Sequence, residues 1–233
     1  MNAIGCPIQS HFMQAPVGTK KGASRPSCNW TWDWMGSELD IYAPGGKAGF
    51  NSAALKTGQC SMALFDSRAP TVSDRIGFNR RFYAGNLEKV FTPTSDDELV
   101  AAVTQASTPE QAGEDPGVRI VSGRHCYENF VFNATSKSLI DCIGLDGVGQ
   151  HPDRGYFVEA GASNWSSFTR LNALFGKCLP GGSCYSVGIG GHVSGGGYGL
   201  LSRLQGLTVD WVTGVDIVLT PAPGKAELHH VDA

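Results

Sequence analysis

Charge is scarce in this sequence. Lys and Arg number 18 and Asp and Glu 21 among 233 residues, so charged residues make up 17%, against about 25% in an average soluble domain. The net charge is −3, and no basic run exceeds the pairs Lys20-Lys21 and Arg80-Arg81. Neutralising a phosphate backbone takes a basic stripe, so nucleic acid is not expected as a partner. Long apolar runs are missing too. Nothing approaches the roughly 20 residues of a membrane-spanning helix, and no membrane partner is expected. Residues 1–22 carry prolines and polar residues without the apolar stretch of a secretory signal, which predicts a cytoplasmic protein. Seven cysteines, at positions 6, 28, 60, 126, 142, 178 and 184, form no C-x-x-C and no Cys/His knuckle, so no metal site is expected. His229-His230 is the one pair that suggests a metal. Neighbours on a strand point to opposite faces, and the pair reads instead as a solvated sheet edge.

What is present is a core and an excess of glycine. Hydrophobic residues reach 41%, enough to exclude wholesale disorder. Glycine accounts for 31 of 233 residues, nearly twice the ordinary share of about 7%. No G-X-Y period exists, which excludes collagen. Nine of the glycines fall between Gly181 and Gly199.

Residues 1–80 show no sustained periodicity and read as an N-terminal extension. Trp30, Trp32 and Trp34 alternate there, on one strand face if extended; core packing and a sugar-stacking platform both fit. From Arg81 the signals sharpen. Val90-Phe91 is a short strand. Ser95 and Glu98 form a capping box ahead of Leu99, Val100, Val103 and Ala106 at helical spacing. Val118–Val121, Ser138–Ile143 and Tyr156–Ala160 read as strands bounded by turn residues. Ser163 caps a helix with Trp165, Phe168, Leu171 and Phe175 inward, ended by Gly176. Leu207–Leu219 is β-type and turns at Pro221–Gly224. Strands and helices intermix without a strict βαβ repeat, so the class is α+β.

The glycine island runs from Pro180 to Gly199. Glycine lets backbone approach a ligand, and successive N–H groups make anion-binding nests. A flexible linker would not embed Cys184, Val187, Ile189, His192 and Tyr198. Two nucleotide motifs fail against it. Gly188-x-Gly190 meets Val193 where a dinucleotide fingerprint needs its third glycine, and Gly176-Lys177 lacks the first glycine and the Ser/Thr of a P-loop. A second element, Val121-Ser-Gly-Arg-His-Cys-Tyr127, follows a strand directly. Its small residues could cradle a phosphate, and His125 could serve as nucleophile or base.

Taken together, Ser122-Gly-Arg-His-Cys-Tyr127 and Cys184-x-x-Val-Gly-x-Gly-Gly-His-x-Ser-Gly-Gly-Gly-Tyr-Gly199, with Gly206-Leu-Thr-Val-Asp210 behind them, resemble the vanillyl-alcohol oxidase superfamily of flavoproteins. The likeness is to its berberine bridge enzyme-like branch and runs from about Arg81 to Thr220. It implies a PCMH-type FAD-binding domain of two α+β subdomains over residues 81–233. It also implies FAD held twice, by His125 at the flavin 8α-methyl and by Cys184 at ring carbon C6. Both residues are good nucleophiles once deprotonated, and a cysteine among N–H dipoles has a lowered pKa. Ser122, Gly123, Arg124, Cys126 and Tyr127 would wrap the pyrophosphate, mostly by main chain. Gly188, Gly190, Gly191, His192, Gly195, Gly196 and Gly197 would line the ribityl chain and the ring, with His192 adding positive character. Val187 matches a position where a small side chain goes with dioxygen access, favouring an oxidase over a dehydrogenase.

Arg124 stands where most of the branch has glycine, though alditol-oxidase relatives place Arg before the histidine. The resemblance also implies a substrate domain and a last flavin-binding segment supplying the catalytic base, both expected outside this chain. The reaction implied passes hydride from an alcohol, sugar or secondary-metabolite carbon to FAD, with dioxygen reduced to hydrogen peroxide. A truncated, non-catalytic flavin-binding or interaction module is the alternative, and a glycine-rich binding protein without flavin a third.

Overall fold

The computed structural model describes residues 8–12, 66–108 and 116–232. The alternating tryptophans lie outside the described residues. Two sheets carry the fold. The first is parallel and three-stranded, with β2 (Lys89–Phe91) and β3 (Val118–Val121) flanking β4 (Ser138–Asp141). The second is antiparallel and five-stranded. Its order is β5 (Val148–His151), β6 (Gly155–Val158), β1 (Ile8–Phe12), β7 (Gly214–Ala222) and β8 (Lys225–Asp232). Among the described residues no helix is long and apolar enough to cross a membrane.

Helix α1 (Asp96–Ala106) joins the two sheets. Ser95 Oγ accepts the Glu98 N–H, as the capping box requires. The Glu98 carboxylate reaches one residue further back than expected, accepting from the Thr94 N–H and hydroxyl at 2.7 Å each. Leu99, Ala102, Val103 and Ala106 are buried on one face. There they meet Phe91 of β2, Ile140 of β4 and Val218 of β7 in one core cluster. That cluster therefore fixes the two sheets to each other through the helix. Central β4 is buried at every position, as a strand covered on both faces should be.

Helix α2 (Asn164–Phe175) starts at Ser163 and stops at Gly176, whose φ of 61° supplies the left-handed cap. Its inward face differs from the expected one. Trp165 and Phe168 are 61% and 45% exposed, while Asn164, Ser167 and Leu171 are buried. The reason lies at the helix start. The Asn164 and Trp165 N–H groups donate to Val187 O and Tyr185 O, at 2.8 and 3.1 Å. That docking rotates the Asn164-Ser167-Leu171 face inward and carries the two aromatics out.

Other boundaries shift for local reasons. β4 ends at Asp141, where a 3-10 turn over Cys142–Gly144 begins and the Asp141 carboxylate caps the Ile143 N–H. The β-type run from Leu207 forms a 3-10 turn first, over Thr208–Trp211, and becomes β7 only at Gly214. The hairpin after β7 turns at Pro223-Gly224, with Gly224 at a φ of 69° and Ala222 paired to Lys225. His229 and His230 sit on edge strand β8 and face apart. His229 lies beside Glu227 at 3.6 Å, and His230 lies between Asp216 and Asp232, at 2.6 and 3.0 Å.

Candidate functional site

The loop carrying His125 leaves the carboxyl end of parallel strand β3, the end at which open α/β sheets present ligand loops. It meets the glycine island directly. A Cβ on Gly123 would lie 2.3 Å from Gly188 N and 2.5 Å from Ser186 O. A Cβ on Gly188 would lie 1.8 Å from Ser122 Oγ and 2.3 Å from Gly123 N. Real Cβ atoms do not approach that closely, so only glycine at both positions lets the two loops lie backbone against backbone. The two elements singled out in the sequence, some sixty residues apart, thus form one structure.

That contact brings the two nucleophile candidates into one neighbourhood. His125 Nε2 is 2.9 Å from Ser186 Oγ, two residues beyond Cys184. The imidazole also stacks on Phe78, with centroids 4.9 Å apart and planes 22° from parallel. Tyr127 stands edge-on to the same ring at 5.7 Å. A cavity of about 290 Å³ opens beside His125, lined among others by Gly77, Phe78, Arg80, Gly123 and Arg124. Cys184 is exposed, and its backbone is held from below. Its carbonyl accepts the Val187 N–H at 3.3 Å and the Asn164 amide at 3.2 Å. The same amide donates to Gly182 O, and Asn164 Oδ1 is buried without a protein partner.

Several expected ligands prove to be occupied within the protein. Ser122 Oγ donates to Ala160 O at 2.6 Å, and Cys126 Sγ reaches Glu128 O at 3.2 Å. Arg124 has a φ of 58°, the one positive value among described non-glycine residues. Its guanidinium donates to Ser73 O at 2.7 Å, Asp74 Oδ1 at 3.0 Å and Asp141 Oδ2 at 2.5 Å. Burial works against that charge, yet Asp141 and Asp74 together hold the arginine pKa above its ordinary value. Asp74 is itself buried. The Arg68 guanidinium, with help from Thr71 and Arg124, holds its carboxyl well below the usual carboxylate range.

His192 corrects a second expectation. Its Nε2 accepts the Gly182 N–H at 2.9 Å, which an imidazolium could not do, and burial lowers its pKa. The ring is neutral and braces the island instead of adding positive character. Gly190 and Gly197 likewise face protein, since a Cβ there would meet Ala160 and Thr208, whereas a Cβ on Gly191 meets nothing within 4 Å. Gly195 has ordinary contacts, and Gly196 abuts Leu207. Val187 is half-buried, its carbonyl held by the Asn164 N–H.

The chain matches the FAD binding domain family over residues 87–226, more than half its length. The chain belongs to this FAD binding domain family. It is 47% identical over 156 residues to hexose oxidase from Chondrus crispus, covering 67% of this chain and 28% of that protein. A solved glycopeptide hexose oxidase complexed with teicoplanin superposes with a TM-score of 0.66 at 29% identity, over 72% of this chain and 34% of that one. A glucooligosaccharide oxidase from Acremonium strictum, described with 6-S-cysteinyl, 8α-N1-histidyl FAD, superposes at 0.59 with 25% identity over 73% and 35%. The chain therefore spans about a third or less of the length of these relatives.

Five residues of this family member's site escaped the sequence. Phe78 precedes the expected domain start at Arg81, as do Arg68 and Asp74, and Arg68 bridges to Val90 of β2. Asn164 looked like an ordinary first helical residue. Ser186 lay inside the recognised motif, at one of its unspecified positions.

Proposed function

We propose that this chain is the FAD-binding part of an FAD-dependent oxidase, and that it carries the flavin on His125 and Cys184. The observation that supports this most is the backbone contact of Gly123 with Gly188, which sets two nucleophiles on touching loops. The residues fit the group. A cavity lies against His125, Gly191 leaves open space, and Asn164 Oδ1 is an acceptor in want of a donor. The unit proposed for FAD spans residues 66–232, since Arg68, Asp74 and Phe78 pack into it ahead of Arg81.

The main chain of Gly123, Arg124, His125, Cys126 and Tyr127 would hold the pyrophosphate, with Arg80 and Arg124 as lining cations. Gly191 and its neighbours would face the ribityl chain and ring. Bound flavin supplies a two-electron acceptor that takes hydride from a hydroxyl-bearing carbon and passes the electrons to dioxygen as hydrogen peroxide. A small alcohol, a sugar or a secondary metabolite is the proposed substrate. The protein's own tasks here are to hold two attachment points, to brace them through Asn164 and His192, and to fix Arg124 at the cavity wall through Asp74 and Asp141.

Intact mass of the purified chain tests the reading. A mass increase of one FAD that survives acid precipitation, mapped to His125 and Cys184 peptides, is the expected result. Colourless protein after expression with riboflavin, or flavin released entirely by acid, would overturn it.

A further inference from the structure

Ser186 is the ring partner of His125, and its placement is unusually well determined. The Cys184–Val187 turn is closed by the Val187 N–H on Cys184 O. Both ends of that turn are gripped by the start of α2. Its Asn164 and Trp165 N–H groups take Val187 O and Tyr185 O, and the Asn164 amide takes Cys184 O. Ser186 O lies against Gly123, one residue before Arg124 and two before His125. Phe78 stacks on a face of the same imidazole. A hydroxyl held this way can accept an Nε2–H or donate to a bare Nε2, and which nitrogen carries the proton is set by the bond its neighbour makes.

We propose that Ser186 is a positioning residue that fixes the His125 imidazole as its Nε2–H tautomer and so leaves Nδ1 as the nitrogen that bonds flavin. This rests on the reading of His125 as an attachment point. The step balances as follows. An Nδ1–C bond forms at the flavin 8α carbon, which loses one hydrogen as a proton. The proton on Nε2 leaves through the Ser186 hydroxyl to solvent. The two electrons released enter the flavin ring and are taken by dioxygen, which with two protons becomes hydrogen peroxide. Ser186 thus both selects the nucleophilic nitrogen and receives the proton that must depart. Cys184 has no such dependence, because its sulfur bonds a different ring carbon.

Two measurements on the full chain test the inference. The first needs no flavin: long-range ¹H–¹⁵N correlation of the flavin-free protein reports the His125 tautomer. The wild-type chain is expected as Nε2–H, Ser186→Ala as a mixture, and Ser186→Thr as Nε2–H again. The second is the rate at which added FAD becomes linked to the His125 peptide, followed by mass. Ser186→Ala should slow it roughly two- to thirteen-fold, the range spanned by the net contribution of one hydrogen bond. Ser186→Thr should restore it, and the Cys184 linkage should keep its wild-type rate in both variants. A wild-type Nδ1–H tautomer, or an unchanged His125 rate in Ser186→Ala, overturns the role of Ser186. Equal slowing at His125 and Cys184 overturns it as well, showing a loosened loop instead. An Nε2–H tautomer with no flavin at either residue refutes the attachment reading, and the nucleophile assignment with it.

Discussion

Replacing Arg124 separates the ionic and conformational terms at the centre of this site. Its guanidinium is 23% exposed and bonds Asp141, whose side chain is 4% exposed. Removing one partner of a buried pair costs about 3–5 kcal/mol, because the other charge is left uncompensated. Asp74 retains Arg68 and Thr71, so only Asp141 is stripped, and the partial exposure of Arg124 puts the cost at the low end, about 3 kcal/mol. Against this stands the φ of 58°, a conformation costing a non-glycine residue about 1 kcal/mol. Arg124→Gly should therefore lose about 2 kcal/mol, and Arg124→Ala about 3 kcal/mol. Urea unfolding at pH 7 measures both. The background dependence of Asp141→Asn is sharper. It should destabilise the wild-type chain, where it breaks the pair, and stabilise Arg124→Gly, where it removes an unpaired buried charge. Asn keeps an oxygen for the Ile143 N–H, so the cap is not the variable. An Arg124→Gly chain within about 0.5 kcal/mol of wild type, the spread of ordinary surface changes, would refute the reasoning. So would Asp141→Asn changing both backgrounds alike.

Gly188→Ala must push Ser122 and Gly123 away. It should cost about 1–3 kcal/mol as an overpacking change and lower bound flavin absorbance, whereas Gly191→Ala, facing open space, should leave the thermal midpoint near wild type. Native-state alkylation should modify Cys184 and Cys178, both exposed, and spare Cys142, whose thiol is buried and pushed up to about 12; loading with FAD should protect Cys184 alone. Asp74 is held below its unfolded-state value of about 3.9, so its stabilisation is complete above that pH and is lost progressively as pH falls towards the folded value. Acid titration of Asp74→Asn should accordingly give a flatter stability curve below about pH 4 than wild type, and parallel curves would count against the Arg68–Asp74 pair.

The sequence revealed what depends on local pattern and concealed what depends on docking. Ser95 and Ser163 as caps, Gly176 as a left-handed stop and the short run at Val118–Val121 are local, and all appear in the fold. Trp165 and Phe168 were misread because their helical spacing fits an apolar face equally well. Their orientation follows from the Tyr185 and Val187 carbonyls that seize the first turn of α2. The run at Leu207 has β propensity throughout. Thr208, buried with its hydroxyl on Pro180 O at 2.5 Å and Gly197 O at 2.9 Å, bends it against the island first. Phe78 and Asp74 carry no motif at all; proximity to His125 and Arg124 is their whole signal.

The glycine excess also divides into two kinds of requirement. Gly123, Gly188, Gly190 and Gly197 are small because another chain segment occupies the place of a side chain. Gly191, by contrast, leaves open space where its side chain would be, room that the proposed ligand could use. Most of the motif is therefore conformational apparatus that holds His125 and Cys184 together, and a smaller part touches what they hold. Charge is arranged by the same logic. Arg68 and Arg124 are matched by Asp74 and Asp141 behind the loop, so this group of four carries no net charge. In the proposed complex an anionic pyrophosphate would meet main-chain N–H dipoles beside Arg80 and Arg124 of the cavity wall. Glycine-rich backbone, which an arginine-rich loop could not replace without losing the 123–188 contact, is thus both the scaffold for the nucleophiles and the proposed anion site.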